Sequence, residues 1–170
     1  MQTIIKCPKP IIAEVAGTAT AAGCQLVASC DLAYASSSAK FATPGVNIGL
    51  FCSTPMVAIS RNLSNKHSME MLLTGELISS DKAAKIGLIN DVIEINELKD
   101  FVLDRAKKIS KKSSVTLKIG KEAFYKQLDM KLSDAYDYAS KVMVQNMLKL
   151  DAKEGIDAFI DKREPNWKDK

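Results

Sequence analysis

The stretch that decides the fold is residues 10–31, PIIAEVAGTATAAGCQLVASCD. Its first seven residues begin with a proline and are almost all apolar, which is typical of a short buried strand. Gly17 and the small residues after it predict a tight turn, and apolar residues then recur at helical spacing. We expect the strand of residues 10–16 to lead directly into a helix that begins between Ala21 and Gly23.

The chain changes character near its middle, from small and β-branched residues with little charge to charged residues. Short extended segments at residues 31–35 and 40–42 are followed by a loop at residues 44–49, and charged helical patterns dominate the second half. This order of elements favours an α/β fold with the helices gathered late in the chain. We predict an α/β core over residues 1–93 and a helical region over residues 94–170.

Helix ends are marked by capping residues. Thr54 with Pro55 behind it predicts one helix start, and Ser80 predicts another. Gly75 lies where a left-handed C-cap is needed, after a helix over residues 65–73. Later apolar stripes at helical spacing predict core-facing helices; they include Leu98, Phe101, Val102, Val115, Ile119, Phe124, Leu128, Leu132, Tyr136, Met143, Met147 and Leu150.

Composition excludes several classes of protein. The chain has 170 residues, 46% of them hydrophobic and 26% charged, so it is long and apolar enough to bury a core. A net charge of +4 without a sharp basic patch argues against nucleic-acid binding, and no apolar run is long enough to span a membrane. Four cysteines without metal-type spacing predict reduced thiols and no metal site. Without a leader pattern at its start we expect a cytoplasmic protein, or a mitochondrial matrix protein if a longer natural chain carries a transit peptide.

The turn before the predicted helix has two interpretations. The first N–H groups of a helix are unpaired and carry partial positive charge, so this end can bind an anion or stabilise an oxyanion. The alternative is a close strand–helix turn that binds nothing. The spacing differs from the G-x-G-x-x-G motif of dinucleotide-binding sites. The sequence therefore gives little support to a dinucleotide site here.

Several ordered motifs resemble the enoyl-CoA hydratase/isomerase (crotonase) family. They are residues 9–31, residues 41–49 (FATPGVNIG), residues 69–90 (MEMLLTGELISSDKAAKIGLIN) and residues 154–163 (EGIDAFIDKR). Within the family the chain is most similar to the hydratase domain-containing subgroup, which has FCSTP, here residues 51–55, where other members are glycine-rich. The resemblance implies a crotonase-like α/β fold and a role in fatty-acid and acyl-CoA metabolism.

The resemblance also implies a site. Family members bind acyl-CoA thioesters and hold the thioester oxygen between two backbone N–H groups, one of which maps to Ala22, with Gly23 beside it. Ala19 maps to the substrate-binding turn. Phe159 and Lys162 map to an aromatic ring and a cation near the CoA adenine and phosphates, although a core phenylalanine and a solvated lysine explain them equally well. Coenzyme A enters as part of the substrate, and no other cofactor is implied.

Two positions depart from the family pattern. The glutamates that act as acid and base in active hydratases map to Gln25 and Gly45. A glutamine side chain cannot exchange a proton near neutral pH, and a glycine has no side chain. Neither the hydratase pair of glutamates nor the isomerase base is therefore present, and whether the chain catalyses either reaction is left open.

A third departure concerns what precedes the first strand. Family members carry several strands and helices there, which supply the second oxyanion N–H and much of the CoA surface. The resemblance thus implies a crotonase core that lacks its N-terminal part, with an exposed sheet edge. It also implies association into trimers or hexamers through the late helices.

Other candidates for chemistry are weaker. Cys52 could act as a nucleophile with His67, the only histidine, as its base, but nothing in the sequence brings the two together. Asp31 is more typical of a helix end or a turn anchor, and Glu70 of a surface carboxylate. Three hypotheses remain: an enzyme that uses the oxyanion hole, a CoA-thioester binding or assembly subunit without turnover, and a non-functional truncated product.

Overall fold

The computed structural model describes residues 1–170 as nine α-helices, six β-strands and one 3₁₀ helix. In chain order these are α1 (Gln2–Lys6), β1 (Ile12–Val15), β2 (Ala19–Thr20), α2 (Ala22–Ser29), β3 (Leu32–Ser36), β4 (Lys40–Ala42), the 3₁₀ helix (Pro44–Ile48), α3 (Ser53–Ile59), α4 (Asn65–Thr74), β5 (Ile78–Ser79), α5 (Ser80–Lys85), β6 (Asp91–Ile93), α6 (Ile95–Ser110), α7 (Ser114–Gln127), α8 (Leu132–Met147) and α9 (Leu150–Ile160).

The chain forms two compact units. The first comprises residues 1–5 and 11–106, and the second comprises residues 6–10 and 107–170. The units divide within α6, whereas the division expected from the sequence falls just before that helix, at residues 93 and 94.

The first unit is built on a parallel sheet with strand order β1-β3-β6. The Asp31 carboxylate accepts the N–H of Ile11 at 2.7 Å, and the Asn90 side-chain oxygen accepts the N–H of Ala33 at 2.8 Å. Both contacts fix the register where neighbouring strands begin. Asp31 thus anchors the start of β1, whereas the sequence favoured a helix end or a turn anchor for it.

Alternation along β3 places side chains on opposite faces of this sheet. Ala33 and Ala35 belong to the larger core cluster, together with residues of α2, α3, α4 and α5. Tyr34 belongs to a smaller cluster with Leu98 and Val102 of α6. The two-residue period of a strand requires this division. The sheet is therefore covered by helices on both faces, as parallel sheets usually are.

A second, smaller sheet has strand order β2-β4-β5. Its strand β2 lies between the first strand and α2, so the expectation of a strand that leads directly into the helix is wrong in this detail. Thr20 pairs with Ala42 in parallel register. A strand of two residues has no periodic sequence pattern, so this long-range pairing could not be predicted from the local sequence. The expected helix start is confirmed, since α2 begins at Ala22.

Helix boundaries differ from the expected ones by one or two residues. Cys52 precedes α3, which begins at Ser53 instead of at a Thr54 cap. The Ser79 hydroxyl, not that of Ser80, caps α5 by accepting the N–H of Lys82 at 3.2 Å. Gly75 has φ of 63°, which confirms the left-handed cap after α4.

The second unit contains α7, α8 and α9 and a C-terminal tail that binds back onto them. Asp151 is 1% exposed and accepts the N–H groups of Lys168 at 2.7 Å and Asp169 at 3.1 Å. Burial by itself would raise the pKa of the Asp151 carboxyl. Hydrogen bonds from the Ser113 side chain and those two N–H groups outweigh burial and hold the pKa below its usual value.

A second carboxylate fixes the same tail. Both oxygens of Glu154 accept from the Arg163 guanidinium, at 2.7 and 3.1 Å, and the Asn166 N–H adds a bond of 2.7 Å. The side-chain bonds from Arg163, followed by that backbone bond, lower the pKa of Glu154 to about 2. Trp167 donates its ring N–H to the Lys111 carbonyl at 2.7 Å and lies against Gly155. The tail is therefore an integral part of this unit.

The apolar stripes of the late helices are largely exposed. Helices α7 and α8 contain no buried residue, and α6 buries only Leu98 and Val102. Helix α7 packs against α8 and α9, which leaves Val115, Ile119 and Ala123 half-buried. The expectation that these stripes face a buried core is therefore met only in part by α7, and it is wrong for α8, whose stripe is mostly exposed. None of the helices is long and apolar enough to cross a membrane.

Candidate functional site

The start of α2 is held in an unusual backbone conformation. Ala21, the residue before the helix, has φ of 47° and ψ of −113°, a region that non-glycine residues rarely occupy. Its N–H donates to the Ala42 carbonyl at 3.0 Å, and the β2–β4 pairing fixes this contact. Strained residues of this kind cluster at functional sites, which makes the start of α2 the first place to look.

The first N–H groups of α2 are free to bind a ligand. The Gln25 N–H makes the first bond of the helical pattern, to the Ala21 carbonyl at 2.9 Å, so earlier N–H groups have no partner inside the helix. No side chain caps the helix, and its first turn contains no acidic residue. Ala22 and Gly23 are both exposed. This end can stabilise an oxyanion through backbone N–H groups alone.

Ala19 packs beneath this turn, on the side of Gly23. Ala19 is 9% exposed, and a Cβ placed on Gly23 would lie 3.9 Å from the Ala19 Cβ, an ordinary contact. An alanine therefore fits at position 23, and glycine is not required there. Ala19 supports the turn from below, and the exposed N–H groups lie at Ala22 and Gly23.

Gln25 lies on the first turn of α2. It is half-buried. It lies on the turn that carries the free N–H groups, but it offers only an amide as a polar group. An amide can orient a ligand by hydrogen bonding and cannot act as a proton-transfer base.

Gly45 lies in the 3₁₀ helix, where the sequence predicts a loop. A Cβ at this position would lie 2.8 Å from the Leu50 carbonyl oxygen and 2.9 Å from the Cys52 sulfur, both closer than real Cβ contacts. The Gly45 N–H donates to the Cys52 sulfur at 3.3 Å. Position 45 is therefore closed to any side chain unless the following loop moves.

Cys24 and Cys52 lie near this site, and neither forms a reactive pair with a histidine. Burial, followed by the nearby Cys52, raises the pKa of the Cys24 thiol to about 12, which keeps it protonated and inert. Cys52 accepts from Gly45, whereas the His67 ring faces Glu70 at 3.7 Å. The structure thus gives Cys52 and His67 different partners.

Glu70 is a surface carboxylate. Its side chain is about half exposed and lies 3.2 Å from the Lys82 ammonium. The hydrogen bond from Lys82, followed by the charge of the same group, lowers the pKa of Glu70. It is an ordinary exposed ion pair and does not take part in the candidate site.

Phe159 and Lys162 belong to the second unit. Phe159 is 84% exposed on α9, and Lys162 follows the helix with φ of 54°. Within that unit Phe159 lines a cleft of about 500 Å³ together with Gly155 and Trp167. Phe159 is therefore not a core residue, which was one of the two alternatives that the sequence allowed.

The sequence model of a family described as “Enoyl-CoA hydratase/isomerase” matches residues 1–170. The chain belongs to the enoyl-CoA hydratase/isomerase family. The predicted family membership is therefore confirmed.

Named relatives agree with this assignment. The chain is 53% identical over 167 residues to “Enoyl-CoA hydratase domain-containing protein 3, mitochondrial” of Rattus norvegicus, covering 98% of this chain and 56% of that protein. It is 33% identical over 162 residues to “Enoyl-CoA hydratase, mitochondrial” of Pongo abelii, covering 95% and 56%. The chain thus spans just over half the length of these relatives.

Solved structures confirm the predicted fold. A crystal structure of human enoyl coenzyme A hydratase domain-containing protein 3 superposes with a TM-score of 0.95 at 50% identity, covering 98% of this chain and 66% of that one. An enoyl-CoA hydratase from Mycobacterium smegmatis gives a TM-score of 0.96 at 47% identity, covering 98% and 65%. The crotonase-like α/β fold with a helical C-terminal region is therefore the fold of this chain.

Sequence reasoning missed two features of the site. Ala21 has a positive φ, and nothing in the sequence around this alanine predicts that conformation. The contact between Gly45 and Cys52 joins residues seven positions apart through an irregular segment. The absence of a side chain at Gly45 was visible, but the groups that fill its place were not.

Proposed function

We propose that this chain binds the thioester carbonyl of an acyl-CoA at the start of α2, in fatty-acid or acyl-CoA metabolism. The observation that carries the proposal is the exposed helix start with unpaired N–H groups at Ala22 and Gly23. These donors stabilise the negative charge that develops on the thioester oxygen when the α or β carbon reacts.

Turnover is the weaker part of this function. Hydration needs groups that move protons to and from water and the acyl chain, and the positions that the family resemblance assigns to them are Gln25 and Gly45. Each missing proton-transfer role typically costs about 10²–10⁴-fold in rate. We therefore favour a slow hydratase or isomerase, or a subunit that binds the thioester without turnover.

Binding is tested by calorimetric titration of the unchanged chain with butyryl-CoA. In Gly23→Asp a carboxylate enters the first turn, where it suits the helix dipole and folding but repels the thioester oxygen. Gly23→Ala is the matched control, because a Cβ fits at this position. We expect Gly23→Asp to lose about tenfold or more in affinity, equivalent to about 1.4 kcal/mol, while Gly23→Ala binds normally. Equal affinities for both variants would contradict a site at the start of α2.

Catalysis is tested by crotonyl-CoA hydration, measured beside a family member that has both glutamates. We expect the unchanged chain to hydrate crotonyl-CoA at least about 10²-fold more slowly than the reference enzyme, which is the loss expected for one missing proton-transfer group. Gln25→Glu restores one carboxylate, and we expect only partial recovery because position 45 has no room for a second. A rate in the unchanged chain equal to that of the reference enzyme would refute the proposed loss of acid–base groups. If neither binding nor turnover is detected, the chain is a non-functional product.

We also propose that the chain associates with copies of itself, as a trimer or hexamer, through its late helices. On α8 the apolar side chains of Leu132, Tyr136, Met143 and Met147 are each at least 60% exposed. Contiguous apolar surface of this kind marks association sites. The homo-oligomer and the CoA thioester are the only partners proposed.

Analytical ultracentrifugation tests the assembly. We expect the unchanged chain to sediment as a species larger than its 18.5 kDa mass. Met143→Glu should weaken association, and Lys141→Glu, at a polar exposed position of the same helix, is the control. A stable monodisperse monomer would contradict the proposal.

For localisation we propose the mitochondrial matrix, with the cytoplasm as the alternative. The support is that the named relatives of rat and orangutan are described as mitochondrial. Subcellular fractionation of the source cells, followed by immunodetection of the chain, distinguishes the two compartments.

A further inference from the structure

The thiol of Cys52 fills the space beside Gly45. Its sulfur lies 2.9 Å from the point that a Cβ on Gly45 would occupy, and it accepts the Gly45 N–H at 3.3 Å. Cys52 is 9% exposed, so its thiol is packed against the 3₁₀ helix and not extended into solvent. Gly45 and Cys52 are therefore a matched pair, in which the absence of one side chain makes room for the other.

A backbone hydrogen bond and the packing of α2 against α3, the helix that Cys52 precedes, place this pair near the start of α2. The Ala42 carbonyl accepts the Ala21 N–H, and Gly45 lies three residues after Ala42 in the 3₁₀ helix. The Cys24 thiol on the first turn of α2 is close enough for Cys52 to contribute to its raised pKa. The thiol of Cys52 is thus a neighbour of the turn that carries the free N–H groups.

The segment that leads to Cys52 presents apolar side chains to solvent. Ile48, Leu50 and Phe51 are 76%, 63% and 42% exposed, respectively. No charged residue occurs between Gly45 and Cys52. Surface of this chemistry suits the hydrocarbon part of a thioester and not its phosphates.

We propose that Cys52 is a specificity-determining residue: its thiol, packed against Gly45, sets the size of the acyl group that the site accepts. The proposal rests on the proposed acyl-CoA binding at the start of α2. Removal of the sulfur opens space for about one methylene group, and one methylene in an apolar pocket changes discrimination about tenfold or more.

The test is calorimetric titration of the whole chain and its Cys52→Ala variant with acetyl-CoA, butyryl-CoA and free CoA. We expect Cys52→Ala to shift the ratio of the two acyl-CoA dissociation constants about tenfold in favour of butyryl-CoA. Its affinity for free CoA should not change. Cys52→Ser keeps a side chain of similar size that can accept the Gly45 N–H, and its ratio should stay near that of the unchanged chain.

Each other outcome overturns the inference. Equal weakening of all three ligands in Cys52→Ala would show a purely structural role, and an unchanged ratio would show that the thiol does not contact the acyl group. If Cys52→Ala does not fold, Cys52→Thr provides the second test. Its added methyl group should shift the ratio towards acetyl-CoA, and an unchanged ratio there refutes the inference as well. Absence of binding by the unchanged chain refutes the proposed function and this inference with it, whereas binding with an unaltered ratio refutes this inference alone.

Discussion

Replacement of Ala21 by glycine should stabilise the protein. Ala21 precedes α2 with φ of 47° and ψ of −113°, a conformation that glycine adopts without steric cost. Its N–H bond to the Ala42 carbonyl involves only backbone atoms and is kept in the variant. Ala21→Gly therefore removes strain without removing a hydrogen bond.

Three contributions determine the size of the effect. A non-glycine residue in such a region costs about 1–3 kcal/mol. Glycine gives back about 0.4–1 kcal/mol of this through the greater freedom of the unfolded chain. Loss of a half-buried methyl group removes about 0.4 kcal/mol more, half the value of a fully buried one. The expected net gain is about 1 kcal/mol, the difference between mid-range values of these contributions.

Urea unfolding followed by circular dichroism, at one protein concentration for all variants, measures this gain. Ala22→Gly is the matched control, because Ala22 is the first residue of the helix and glycine there costs up to about 1 kcal/mol. We expect the unfolding midpoint to rise for Ala21→Gly and to fall for Ala22→Gly. A lower midpoint for Ala21→Gly would refute the argument that this backbone is strained.

Three further predictions concern buried and paired polar groups. Ser68→Ala should leave the free energy of unfolding unchanged or raise it by up to about 1 kcal/mol, because the buried Ser68 hydroxyl has no hydrogen-bond partner; a clear loss in thermal unfolding would contradict this. Asp151→Asn should destabilise the chain by about 2 kcal/mol at neutral pH. Since folding lowers the pKa of Asp151, this contribution is complete above its ordinary value of 3.8 and declines as the pH falls below it, so the two unfolding curves should converge in acid; a constant gap would be the wrong result. Arg163→Ala should raise the pKa of Glu154 from about 2 towards 4.5, as measured by carbon NMR titration of its carboxyl group, and a pKa that stays near 2 would show that Arg163 is not its main partner.

Local sequence patterns predicted the elements that depend on nearest neighbours in the chain. The β-branched run before Gly17 became β1, and the small residues after it led to a helix that begins at Ala22. Gly75 ends α4 in the left-handed conformation because only the local backbone decides a C-cap. The ordered motifs along the chain were sufficient for the family and the fold.

Long-range contacts decided what the sequence could not show. Strand β2 exists because Thr20 meets Ala42 of β4, and two residues carry no periodic signal of their own. The apolar stripe of α8 was visible, but its period is the same whether the face meets a core or remains exposed.

The sequence by itself determined the crotonase-like fold, the start of α2 and the absence of an acidic side chain at positions 25 and 45. Only the tertiary structure showed that the Leu50 carbonyl and the Cys52 sulfur occupy the space beside Gly45, and that Ala21 is strained. The physical reason is that periodicity and capping act over a few residues. Close packing and a positive φ at a non-glycine residue are imposed by distant parts of the chain. Neither feature can therefore be predicted from the local sequence alone.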